Sequence, residues 1–151
     1  MSAIIIAILV IATASSGAVF KPGAWYEALR RPSWTPPNWA FPVVWSILFI
    51  SIGVSGWLVW EAVGMGMAMA LWLLQLVFNA AWSWLFFGQR RMDLAFVDVC
   101  ALFVTIVAYI AAASQVSTTA ALLFVPYAVW VATAATLNRA VWRLNPDAVP
   151  G

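Results

Sequence analysis

The sequence predicts an all-α membrane protein, a five-transmembrane-helix bundle with a short helix in the first connection. Three observations predict it. Of the 151 residues, 66% are hydrophobic and 8% are charged, whereas a water-soluble domain carries about 25% charged residues. The seven basic and five acidic side chains leave four uncharged runs, 1–20, 32–60, 62–89 and 99–138. One span takes about 20 apolar residues, and the last run is long enough for two. The runs are continuously apolar, without the alternation of a membrane β-barrel. A soluble monomer is excluded on the same grounds, and residues 1–151 read as a single transmembrane domain.

The first span covers about 3–20. Ala12-Thr13-Ala14 resembles a signal-peptide cleavage site, but no Lys or Arg precedes it, so the segment reads as a retained span. The connection 21–40 is long for a helix–helix link and holds Trp25, Tyr26, Trp34 and Trp39 with four prolines. Pro22 can open a short helix, in which Glu27 and Arg31 stand i,i+4. Pro32, Pro36 and Pro37 stop the helix from continuing. Two readings fit: a stiff aromatic flap over one mouth of the bundle, or an interfacial aromatic belt with a short amphipathic helix. The remaining spans are expected at about 41–60, 65–87, 94–113 and 119–138, the last two separated by the polar stretch 114–119.

Every basic residue falls on one side of this arrangement. Lys21, Arg30 and Arg31 lie in the first connection, Arg90 and Arg91 in the third, and Arg139 and Arg143 at the C-terminal end. The positive-inside rule then puts the N-terminus outside and the C-terminus in the cytoplasm. A net charge of +2 placed at span ends sets topology and does not make a nucleic-acid surface.

Within the spans, helical spacing gathers three faces: Pro42, Trp45, Phe49 and Gly53; Gln75, Asn79, Trp82 and Phe86; Tyr127, Trp130, Ala134 and Leu137. Flat rings, small residues and a few amides suit the wall of a cavity for a flat apolar ligand. The same amides equally suit hydrogen bonds between helices. Asp98 is the one ionisable residue inside a span, and an ion pair with Arg90, Arg91, Arg139 or Arg143 is expected for it. Gly64-x-x-x-Ala68 and Gly66-x-x-x-Ala70 suit either self-association or packing within one chain. Conventional catalysis is poorly provided for, because the chain has no histidine to serve as base or metal ligand. No metal site and no covalent cofactor are expected. Cys100 is the only cysteine, so no disulfide forms within the chain.

Several blocks carry a family resemblance. They are Lys21-Pro22 with Trp25-Tyr26, Arg31-Pro32-Ser33-Trp34-Thr35-Pro36-Pro37-Asn38-Trp39, and Phe41-Pro42-Val43-Val44-Trp45. Further on come Gln75-Leu76-Val77-Phe78-Asn79-Ala80-Ala81-Trp82-Ser83, Phe86-Phe87-Gly88, Val125-Pro126-Tyr127-Ala128-Val129-Trp130 and Leu137-Asn138 with Val141-Trp142-Arg143. In these blocks the chain resembles the TspO/MBR family of tryptophan-rich sensory and translocator proteins over nearly its full length. The resemblance implies a five-helix bundle, often a homodimer, with a cavity open toward the first connection. It implies binding of porphyrins such as protoporphyrin IX, and in many members of sterols and benzodiazepine-type ligands. Family pocket positions fall on Tyr26, Pro36, Trp45, Phe49, Asn79, Trp82, Cys100, Trp130, Ala134 and Leu137. Trp34 and Trp39 of the flap and Phe86 of the third span complete the candidate set. By the resemblance, Trp45 and Asn79 donate hydrogen bonds to a ligand carbonyl, and Trp45 and Trp130 serve the light-dependent porphyrin breakdown reported for some bacterial members. Leu137 to Arg143 lacks the tyrosine of the mitochondrial sterol pattern, so sterol binding is not carried over.

The expected function is therefore binding of porphyrins and related apolar ligands, as a tetrapyrrole sensor, scavenger or carrier. Lys21, Arg30 or Arg31 would meet the propionates at the mouth. The alternatives are a light-dependent porphyrin-degrading enzyme, a small-molecule exporter disfavoured by the lack of a mid-membrane carboxylate, and a structural membrane partner. The expected partners are the lipid bilayer, the apolar ligand and a second copy of the chain.

Overall fold

A computed structural model describes residues 2–149. Helix α1 (Ala3–Val19) starts where the Ser2 hydroxyl accepts from the Ile5 N–H at 3.2 Å. The first connection holds a single turn, α2 (Ala24–Glu27). Then follow α3 (Ala40–Val63), α4 (Met67–Ser83), α5 (Met92–Ser114), α6 (Thr118–Leu123) and α7 (Val125–Leu144). No strand occurs among the described residues. Four stretches are long and apolar enough to cross a bilayer: Ala40–Val63, Met67–Gly88, Met92–Ser114 and Thr118–Leu144. The protein is thus an integral, multi-pass membrane protein. Helix α1 is as apolar but shorter, at 17 residues.

The helices overrun the expected spans, most of all at the C-terminus, where α7 continues to Leu144 instead of stopping near 138. Hydropathy marks the hydrocarbon-matched part, while a helix carrying Arg139 and Arg143 can extend through the headgroups with its cations in water. The last span is also not one helix. Pro126 has no N–H to donate and its ring crowds the preceding turn, so α6 ends at Leu123 and α7 begins at Val125. The break changes neighbours in part: α6 packs on both α3 and α5, and α7 stays on α5. Helix α1 lies across α3 and α4, with Ile6, Val10 and Thr13 as its buried stripe. The Ser16 hydroxyl ties it to the Ala80 carbonyl at 2.7 Å.

Glycines act here through turns and close approaches. Gly64 ends α3 at φ +66 and Gly66 precedes α4. The two small-residue pairs therefore straddle a turn and do not form a helix face; Ala68 is buried while Ala70 points outward. Gly56 lies under the Trp72 indole, which is fully buried and donates to the Ile52 carbonyl at 2.9 Å. A Cβ at Gly56 would sit 2.4 Å from that ring.

At the other end of α4 the helix widens into a π-turn, Trp84–Gly88. Such turns redirect side chains. Here Phe86 and Phe87 both reach Tyr26, with ring centroids 6.2 and 5.6 Å away. The flap is fastened again at Asn145, whose amide accepts from the Arg30 N–H at 2.9 Å and donates to the Arg30 carbonyl at 2.7 Å. Arg90 lies over the Trp25 ring at 5.8 Å. The three basic segments thus share one end of the bundle.

Substituting Gly56→Ala should destabilise the bundle by about 1–3 kcal/mol through overpacking against Trp72. Thermal unfolding of the purified protein in detergent should give a lower midpoint than the wild type, and an unchanged midpoint would show that the α3–α4 contact yields freely.

Candidate functional site

Aromatic side chains of α3 and α7 interlock where α7 runs packed on α5. Trp45 stacks on Phe49 one turn along α3, centroids 5.4 Å apart. Its edge meets Tyr127 at 6.1 Å, and Phe41 meets Trp130 at 5.7 Å. Position i,i+4 on α3 thus faces i,i+3 on α7, the pairing that two antiparallel helices permit. Ala134 packs partly against the same cluster.

A polar chain crosses from α4. The Asn79 side-chain N–H donates to the Tyr127 hydroxyl at 2.7 Å, and that hydroxyl donates to Gln75 Oε1 at 2.9 Å. One turn further along α4, the Trp82 N–H donates to Asn138 Oδ1 at 3.0 Å, and Asn138 donates to the Met92 carbonyl at 2.9 Å. The intramembrane amides are therefore largely spent on helix–helix bonds. Among the described residues three buried side-chain atoms have no partner: Gln75 Nε2, Asp98 Oδ2 and Trp130 Nε1. A buried polar atom left without a partner costs about 1–3 kcal/mol, so each is a place where an incoming polar group gains.

Asp98 departs from its expected ion pair. Arg91 pairs instead with Asp93 at 2.7 Å, and among the described residues no cation lies within 4.0 Å of Asp98. Its position on the inward face of α5, beside Val99 and Leu102, turns it from the headgroup arginines toward the bundle interior.

The candidate residues fall into groups. Trp45, Phe49, Asn79, Trp130 and Ala134 gather around or against the main core. Tyr26, Phe86 and Leu137 are buried in a second cluster at the basic end, and Trp82 touches both. Trp82 stacks on Phe86 with centroids 5.1 Å apart. Burial pushes the Tyr26 phenol up, and the Arg31 guanidinium beside it pulls it partly back. Cys100 is a half-buried free thiol. Trp34 and Trp39 remain 48% and 70% exposed, outside these clusters. Pro36 lines a hollow of about 550 Å³ in the flap. A second hollow, about 530 Å³ and apolar, lies between α1 and α3 and is touched by Phe49. Neither is lined by Trp45 or Trp130.

Tyr127 and Phe41 stand at the centre of this site; Tyr127 lies on a face predicted from helical spacing but outside the candidate set, and Phe41 occurs only within a family block. Tyr127 had a signal, since it shares the helical face of Trp130 and its hydroxyl, at hydrocarbon depth, had to answer an amide. Phe41 had only its i,i+4 relation to Trp45.

Fold and site together define a polytopic helical-bundle membrane protein with an aromatic, amide-lined interior beneath a proline-rich flap. A profile of the TspO/MBR family matches residues 3–143. The chain is 39% identical to Protein CrtK of Rhodobacter capsulatus over 140 residues, covering 90% of this chain and 88% of that one. It is 39% identical to the Tryptophan-rich sensory protein of Cereibacter sphaeroides over 134 residues, covering 89% and 85%. Against the Translocator protein of Homo sapiens it is 40% identical over 126 residues, covering 80% and 75%. The chain belongs to the TspO/MBR family.

Replacing Tyr127 by Phe should strand both Asn79 and Gln75 and cost about 1–3 kcal/mol. A lowered unfolding midpoint, with the double variant Tyr127→Phe, Asn79→Leu less than additive, would check that the three side chains act as one unit.

Proposed function

We propose that the protein binds flat apolar ligands, protoporphyrin IX first among them, against the aromatic faces of α3 and α7, as a tetrapyrrole sensor, scavenger or carrier. The observation that carries this reading is the meeting of Phe41 and Trp45 with Tyr127 and Trp130, next to N–H groups of Gln75 and Trp130 that have no partner. Rings supply area for a planar guest, and unpaired donors supply orientation. The names of the relatives, a tryptophan-rich sensory protein and a translocator protein, favour sensing or carriage. In this reading α1 is a fifth span, since its 17 residues reach the lower limit of about 17–25 for crossing. The basic end then faces the cytoplasm and the N-terminus faces outward.

A photochemical reading rests on the same indoles. Among the described residues Trp130 holds its N–H free of any acceptor, and Trp45 stands on the facing helix against Tyr127, so a bound chromophore excited by light would find electron-rich neighbours.

Metal-free protoporphyrin IX should quench tryptophan fluorescence saturably in the dark. Trp45→Ala and Trp130→Ala should each weaken binding about tenfold or more, as loss of a buried aromatic contact does; unchanged affinity in both removes the site from this face. Under illumination the wild-type complex should bleach faster than a Trp45→Phe, Trp130→Phe variant, and equal rates would leave binding without catalysis.

A further inference from the structure

Asp98 is a buried carboxyl group that the aromatic face does not use. It belongs to the inward stripe of α5, with Met92, Ala95 and Leu102, and is 9% exposed. Helix α5 packs on α4, α6, α7 and the π-turn. The ionisable side chains on those elements are Tyr127, Arg139 and Arg143, all on α7. Both arginines are exposed at the basic end, and the Tyr127 hydroxyl is taken by Asn79 and Gln75. On α5 itself, Asp93 is held by Arg91 and Tyr109 by Ser55. Among the described residues nothing donates to Asp98 Oδ2. An acid left unpaired at hydrocarbon depth is costly, and such residues mark places where a ligand or ion is met.

Two donors without partners stand at the same level. Trp82, Asn138 and Met92 make a rung that joins α4, α7 and α5. Counted from that rung away from the basic end, Asp98 is six residues along α5, Gln75 seven along α4 and Trp130 eight along α7. At about 1.5 Å per residue the three lie within about 3 Å of one level, close to half a helical turn. Neighbouring bonds fix which atoms are spare. The Tyr127 hydroxyl already accepts from Asn79, so it donates to Gln75, and the atom it meets is the amide oxygen. Gln75 Nε2 is left as a donor on a residue shielded completely from solvent. The Trp130 indole can only donate, and its N–H is unpartnered as well. Asn79 cannot serve, because its N–H is spent on Tyr127.

Two N–H donors beside one carboxyl oxygen are the complement of a carbonyl that carries an N–H next to it. We propose that Asp98 is the acceptor for a ligand N–H, in a subsite for a cis secondary amide, that is, a lactam. The lactam N–H donates to Asp98 Oδ2, and its carbonyl accepts from Gln75 Nε2 and Trp130 Nε1. This rests on the reading of the aromatic face as a ligand site and adds the edge chemistry that a flat guest needs there. Trp130 joins the two parts, since its ring meets Phe41 at that face. A guest with a carbonyl alone answers the donors and leaves Asp98 unpaired. A lactam answers all three atoms, each of which costs about 1–3 kcal/mol while unpaired.

The test uses phenanthridinone, a flat tricyclic lactam, and its N-methyl derivative, which keeps the rings and the carbonyl and loses the N–H. Binding is read by tryptophan quenching in phosphatidylcholine nanodiscs, with protoporphyrin IX as a third ligand. The wild type should bind the N–H lactam about tenfold more tightly than the N-methyl compound, the worth of one hydrogen bond to an acidic group. Asp98→Leu should abolish that preference and leave the N-methyl compound bound as in the wild type, which also reports that the variant is folded. Leucine is no smaller than aspartate, so a mere clash with the methyl group would survive the substitution. The wild-type comparison needs no variant and decides the matter if Asp98→Leu fails to fold. Equal affinities in the wild type, or a preference that persists in Asp98→Leu, overturns the subsite. Binding of protoporphyrin IX without either lactam overturns the subsite and leaves the aromatic face standing. Binding of none of the three overturns both.

Discussion

In hydrocarbon a polar atom has no water to turn to, and this constraint organises the interior. Tyr127 shows how. Its hydroxyl accepts from Asn79 and donates to Gln75, so one oxygen engages two amides on the same face of α4. The bond fixes the rotation of α7 against α4 and so decides which face of α7 looks at α3. Trp130, one turn on, then falls opposite Phe41. Elsewhere the same constraint recurs in Ser55, which bonds Tyr109 and the Ala120 carbonyl at 2.8 and 2.7 Å and thereby draws α6 onto α3. Two clasps, at Ala120 and at Tyr127, hold the last span to α3 before Pro126 and to α4 just after it.

That divergence explains why the site lies where it does. Helix α6 packs on both α3 and α5, whereas α7 packs chiefly on α5, and aromatic side chains bridge from α3 to α7. Only large flat residues can do so without leaving a void, which accounts for four aromatics at that level. The same geometry makes the contact replaceable. Ring edges meeting at 5.7–6.1 Å hold each other by dispersion and quadrupole terms of about 0.5–1.5 kcal/mol per pair, and a planar guest offers the same terms over a larger area.

Much of this was legible in the sequence. Charge-free runs located the long helices, and helical spacing put Trp45 with Phe49 and Asn79 with Trp82. The Glu27–Arg31 relation followed from i,i+4 spacing alone. What could not be read depended on contacts between distant segments. Asp98 was assigned a headgroup partner because depth was counted along the chain, whereas rotation about α5 decides what it faces. Gly64 and Gly66 matched a packing motif, but the motif presumes a helix, and their positions are where the chain turns. Trp72 and Gly56 gave no signal apart, since an indole needing space and a residue lacking a Cβ acquire meaning only when α3 meets α4. The π-turn is of the same kind: one added residue in the ladder, invisible to periodicity, sends Phe86 and Phe87 together toward Tyr26.

The flap draws its stiffness from both ends of the chain. Prolines limit its backbone, but proline alone would leave a rigid arm free to swing from its attachment points. Tyr26 prevents this by seating among Phe86, Phe87 and Leu137, and Asn145 prevents it by clasping Arg30 through both its amide groups. The first connection is thereby fixed to the π-turn that follows Trp82 of α4 and to the end of α7, the helix that carries Trp130. A guest that pushed α7 from α3 would pull on Asn145, and through it on the segment that holds Arg31. The aromatic face and the basic end are consequently tied together through α7 and the segment after α4.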